Sequence, residues 1–169
     1  MPFLLRALIL WLHLLAAITW IGGLVFQVLV VFPTLTRPTP TAERIRFGLS
    51  LEARFRRLVW PVVGLVLFTG LVNLMNVWYA AVETAGSVST TFAWVLSVKL
   101  GLVLSMIVLQ AIQQLFVQPR RVAALHGWSA GMPEAPAPLV QWQRLALVLY
   151  SVLLGLAGNV VLCAVFLRA

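Results

Sequence analysis

His13 and Lys99, the only lysine of the chain, each lie inside a long apolar run. An ammonium at bilayer depth costs about 2.5–3.5 kcal/mol on insertion scales, so Lys99 is expected to face a partner or a polar cavity. A neutral imidazole is a ligand for iron, copper or zinc, and a helix-borne histidine is the usual holder of b-type haem. His13, Ala16, Ala17, Trp20 and Gln27 follow a helical stripe, and the alanines leave room beside the ring. A macrocycle also needs partners for two propionates. Lys99, Asn73, Asn76, Asn159 and Arg6 are candidates, with Met75, Met106 or a deprotonated Lys99 as a second axial ligand.

The elements that must position these residues are membrane spans. Of 169 residues, 62% are hydrophobic and only 9% charged, against about 25% charged in soluble domains. Four apolar runs, about 2–32, 58–81, 92–117 and 144–167, are each long enough to cross a bilayer. The expected fold is one all-α domain, a bundle of four transmembrane helices. The first run is too long for a signal-peptide core and is read as a retained helix.

Charge sets the expected orientation. The first connection, Pro33 to Arg57, carries six arginines; the second, Val82 to Thr91, carries only Glu83. The third, Gln118 to Gln143, holds Arg120 and Arg121, with Arg144 at its edge. The positive-inside rule puts the first and third connections in the cytoplasm and both termini outside, as in a multi-pass protein of the cell (inner) membrane. Within the first connection, Thr39 to Phe55 is read as a short helix joining two spans, with Thr41 and Glu43 near its start. A net charge of +8 without aromatic interleaving points to topology and lipid contact, not to nucleic acid.

At 1.5 Å per residue, His13, Lys99, Asn73, Asn76 and Asn159 all fall about 10–15 Å below the outer ends of their helices. Each helix therefore offers a polar group to the same half of the membrane. The expected inward stripes are Thr69, Asn73 and Asn76 on the second span and Lys99, Met106, Gln110 and Gln113 on the third. On the fourth the stripe is Ser151, Gly155, Asn159 and Cys163. The bland alternative is that these groups only join helices by hydrogen bonds. The chain has no aspartate, and its four glutamates lie outside the apolar runs, which argues against a carboxylate relay. Cys163 stands alone, so there is neither disulfide nor C-x-x-C-H attachment, and His126 reads as a solvated loop residue.

The string Leu12-His13-Leu14-Leu15-Ala16-Ala17-Ile18-Thr19-Trp20-Ile21-Gly22-Gly23 resembles the opening helix of the copper-resistance D (CopD) family. Arg54-Phe55-Arg56-Arg57-Leu58 leading to Thr69-Gly70-Leu71 resembles that family's next span, and Leu96-x-x-Lys99-Leu100-x-Leu102 its lysine-bearing helix. The likeness covers the first three helices. The His13 and Lys99 pairing also resembles that of HemJ-type protoporphyrinogen oxidases, which are proposed to bind b-type haem. The resemblance implies His13 as ligand and Lys99 as its functional partner. The leading expectation is a b-type haem protein with a redox or electron-transfer role near the outer face, with a haem-dependent oxidoreductase as its enzymatic form and a redox partner protein on that face. The alternatives are a copper carrier without haem, using His13 and methionines such as Met106, and a structural subunit of a respiratory complex. Small-residue faces leave room for a homo-oligomer in the lipid.

Overall fold

A computed structural model describes residues 3–35, 41–85, 90–128 and 135–166. These residues are almost entirely helical: α1 (Phe3–Phe26), a π-turn (Gln27–Val31), α2 (Phe32–Leu35), α3 (Ala42–Ala85), α4 (Thr90–Ile112), a second π-turn (Gln113–Val117), α5 (Gln118–His126) and α6 (Ala137–Phe166). Four stretches are long and apolar enough to cross a membrane: Phe3–Leu35, Ala42–Ala80, Thr90–His126 and Ala137–Phe166. The protein is a multi-pass membrane protein.

The helices outrun the apolar segments that define them. The arginine-rich stretch before Leu58 is not a separate joining helix but the first third of α3, continuous through Pro61. Its periodicity explains this. Ile45, Leu49, Glu52, Val59, Val63 and Val66 are buried at helical spacing, while Arg44, Arg46, Arg54 and Arg57 occupy the exposed face. Thr41 caps the start, its hydroxyl accepting the Arg44 N–H (3.3 Å), and Glu43 favours the positive helix end. Thr39 lies outside the described residues. The third connection is likewise partly helical, since α5 runs on from α4 to His126 and α6 begins at Ala137.

Successive spans are antiparallel. His13 meets Gly70 and Gly23 meets Phe55 between α1 and α3. Trp60 and Arg56 bond Gln114 and Gln118 across to the third span, and Arg120 stacks over Trp142 of α6 at 5.0 Å. Phe3 and Phe166 therefore lie at one end of the bundle with Ala85 and Thr90, here called the terminal end. Leu35, Ala42, His126 and Ala137 lie at the other, the loop end.

Packing is uneven along the bundle. A central core joins Trp20, Leu24, Phe32, Val63, Met106, Tyr150 and Leu153. A second core at the loop end joins Val31, Leu35, Ile45, Leu49, Leu125, Trp128 and Leu139. Among the described residues, fully buried side chains reach no nearer the termini than Ala16 on α1, Thr69 on α3, Met106 on α4 and Ala157 on α6. α1 packs along α3 and α4 along α6, and in the terminal third of the bundle the described side chains are at most partly buried.

Small residues set the close approaches, as expected where lipid removes the hydrophobic drive to associate. A Cβ on Gly23 would overlap the Phe55 ring, whereas Gly22 faces open space. Gly23→Ala should cost about 1–3 kcal/mol through overpacking. The thermal midpoint in detergent checks this, and adding Phe55→Leu should recover most of the loss.

Candidate functional site

The site is built where α1 crosses α3. His13 is half-buried, and its Nδ1 lies 2.9 Å from the Thr69 hydroxyl oxygen. That hydroxyl donates its single proton to the Leu65 carbonyl at 2.5 Å, so towards the imidazole it acts as an acceptor. The Val66 carbonyl, 3.4 Å from the same hydroxyl, also acts on the ring. With the Thr69 oxygen facing Nδ1, this contact favours the tautomer with the proton on Nδ1 and the lone pair on Nε2. A ligand histidine is oriented in this way, with one nitrogen tied to an outer hydrogen bond and the other left bare.

Gly70 supplies the space. A Cβ there would come within 3.2 Å of His13 Cε1, so any larger residue would press on the ring. One and two turns beyond Thr69, Asn73 and Asn76 continue the same face, half-buried, and the Nδ2 of each is buried without a protein partner. Lys99 of α4, also half-buried, lies close enough for its charge to act on the His13 ring. The structure thus places His13, Lys99, Asn73 and Asn76, all partly buried, in the terminal half of the bundle.

Other expected members lie elsewhere. Trp20 and Met106 are buried in the central core, Trp20 about 10 Å nearer the loop end than His13 by helical rise. Met75 is 48% exposed and shares no environment with Met106. Asn159 does not join the site. It is exposed, and its amide donates to the Gly155 carbonyl of its own helix at 2.9 Å. The whole stripe from Ser151 through Gly155 to Asn159 faces outward, because α6 turns Leu139, Gln143, Ala146, Tyr150, Leu153 and Ala157 inward. A polar residue facing lipid is satisfied here by back-bonding to the preceding turn, which a polar-inward rule overlooks. Arg6 is exposed on α1, and exposed His126 bonds the Val122 carbonyl at 2.8 Å.

A second polar group at the loop end was not expected. Glu52 is 2% exposed and Arg121 is fully buried, with Arg121 Nη1 on both Glu52 oxygens at 2.6 and 2.8 Å. The Arg121 guanidinium also lies 5.5 Å from the Phe32 ring centroid. The signal was present in the spacing of Ile45, Leu49 and Glu52, which puts the carboxylate on the apolar face of an otherwise basic helix.

The family model described as CopD, copper resistance protein D, matches residues 49–160, about two thirds of the chain. The chain belongs to the CopD family. The match runs from early α3 to late α6, so it takes in Glu52, Thr69, Gly70, Lys99, Arg121 and the asparagines but not α1. The likeness read from the sequence was strongest over the first three helices; the family match instead covers the second to the fourth. His13 is therefore assigned by its geometry alone. No curated protein and no solved structure matches the chain.

Proposed function

We propose that this CopD-family protein holds b-type haem through Nε2 of His13 and serves a redox or electron-transfer role. The observation that carries the reading is the 2.9 Å contact of His13 Nδ1 with the Thr69 hydroxyl, which itself bonds the Leu65 carbonyl, beside Lys99 and the unpartnered Nδ2 atoms of Asn73 and Asn76. The chemistry of these neighbours favours haem over a bare metal ion. A lysine ammonium repels Cu(I) or Cu(II) but pairs with a carboxylate, and the amide N–H groups of Asn73 and Asn76 are donors that suit the same anion. Haem brings both the metal and two carboxylates. Gly70 lets the imidazole sit close against α3.

In this reading His13 would ligate the haem iron, Thr69 would orient the imidazole, and Lys99 with Asn73 and Asn76 would pair with the haem carboxylates. Bound haem iron would supply one-electron chemistry. By the positive-inside rule the site lies in the outer half of the cell membrane, within reach of a redox partner there. Whether the reaction makes the protein an oxidoreductase depends on that partner's chemistry.

The second reading, a copper carrier without haem, has the family's description in its favour. It asks for several soft ligands along a path. Among the described residues, His, Cys, Asp and Glu form no group of three able to hold a metal, and Met75 and Met106 lie apart.

Thr69→Val separates the two. It is nearly isosteric and removes only the orienting acceptor, so haem affinity should fall about 10–100-fold, the usual effect of losing an outer-shell partner. Haem titration followed at the Soret band, beside equilibrium copper binding, checks this. Unchanged haem affinity with stoichiometric copper binding would reverse the order of the two readings.

A further inference from the structure

The loop-end half of the bundle contains more buried polar atoms than it can pair internally. Gln110 is fully buried with neither amide atom bonded. Gln27 Oε1, Gln114 Nε2, Gln143 Nε2 and Trp20 Nε1 are buried without partners as well, on residues no more than 4% exposed. Arg121 gives only Nη1 to Glu52; its Nε and Nη2 are unpartnered.

These groups belong to one region. Gln27 opens the first π-turn and Gln113 the second, and both turns pack against α6, which carries Gln143 and Tyr150. Gln113 lies beside the Tyr150 hydroxyl, and the charges of Glu52 and Arg121 both reach it. The Phe32 ring, 5.4 Å from that of Tyr150 between centroids, joins Tyr150 to Arg121. π-turns widen a helix locally and recur at functional sites. Two of them facing one buried polar cluster mark it as more than packing.

Charge balance identifies the occupant. The open Nε–Nη2 edge of an arginine is the usual seat of a carboxylate or phosphate. Here Glu52 already neutralises Arg121, so a bound anion would bring an uncompensated charge into the interior. The remaining open atoms are amide donors and acceptors together with an indole N–H, a mixture that suits a molecule able both to donate and to accept. Water fits that description, and a polar interior offering each molecule two to four partners retains it.

We propose that this half of the protein encloses a file of water molecules running from the Glu52–Arg121 pair to the level of Trp20 and Met106. Water enters from the loop end. A cleft of about 450 Å³ between α3 and α5 is lined there by Leu49, Ala53 and Arg56, which bracket Glu52, and by Gln118 and Val122, which bracket Arg121.

Radiolytic footprinting of the full chain in lipid nanodiscs tests this, because hydroxyl radicals formed from bound water oxidise the side chains beside it. Met106, Trp20 and Tyr150 should be oxidised well above lipid-facing Phe68, with loop-end His126 as the solvent reference. In the Gln110→Leu/Gln113→Leu variant the Met106 and Trp20 oxidation should be lost while that of His126 is unchanged. Wild-type Met106, Trp20 and Tyr150 oxidised no more than Phe68 would overturn the proposal. So would a folded variant that keeps the Met106 signal. The wild-type comparison decides even where the variant does not fold, and neither readout depends on haem or copper.

Discussion

Arg121→Met alone should destabilise the protein by about 3–5 kcal/mol, because it leaves the Glu52 carboxylate buried without its cation. Glu52 is 2% exposed and, among the described residues, Arg121 is the cation bonded to it, so it cannot relax into solvent without opening the loop-end core. Glu52→Leu should be comparably harmful, since it strands a fully buried guanidinium. The double replacement should be far milder than either single one, neutral or even stabilising, as replacing a whole buried pair by apolar groups often is. Thermal midpoints in detergent, read by circular dichroism for the wild type and the three variants, form the double-mutant cycle that isolates the pair. Additive losses would mean that the two residues do not support each other.

His13→Ala should abolish haem retention and leave the bundle intact. The fold loses one hydrogen bond to Thr69, and such bonds between membrane helices average about 0.6 kcal/mol. The surrounding packing is also undemanding, because fully buried side chains on α1 begin only at Ala16. Size-exclusion profile and helicity should match the wild type while the Soret absorbance disappears. A variant that keeps its full haem spectrum would remove His13 as the ligand.

The four spans were legible because hydropathy over some twenty residues needs no knowledge of neighbours. The ends of the helices were not. Six arginines before Leu58 lower the mean hydropathy of a segment whose buried face is as apolar as a span, so composition hid what periodicity would have shown. Glu52 was lost for the same reason, as one carboxylate within a basic run. The π-turns at Gln27 and Gln113 left no sequence mark that separates them from ordinary helix.

The candidate site was legible in part. His13, Lys99, Asn73 and Asn76 were expected to share a depth; the structure places all four in the terminal half of the bundle, with Asn73 and Asn76 one and two turns beyond the Thr69 that contacts His13. Depth along a helix follows from counting residues. Rotation about the axis does not, when a span is apolar on every side. That is why Asn159, at a matching depth, faces outward from α6. The role of Thr69 was read only as part of a stripe; its proton committed to Leu65 is a three-dimensional fact.

The central claim is the haem held by His13, and an optical spectrum of the purified protein tests it most directly. The protein, expressed with ample haem, would be recorded oxidised and again after dithionite, alongside metal analysis. The account predicts a Soret band with reduced α and β bands and iron bound with the protein. A colourless protein carrying copper, or no metal at all, would contradict it.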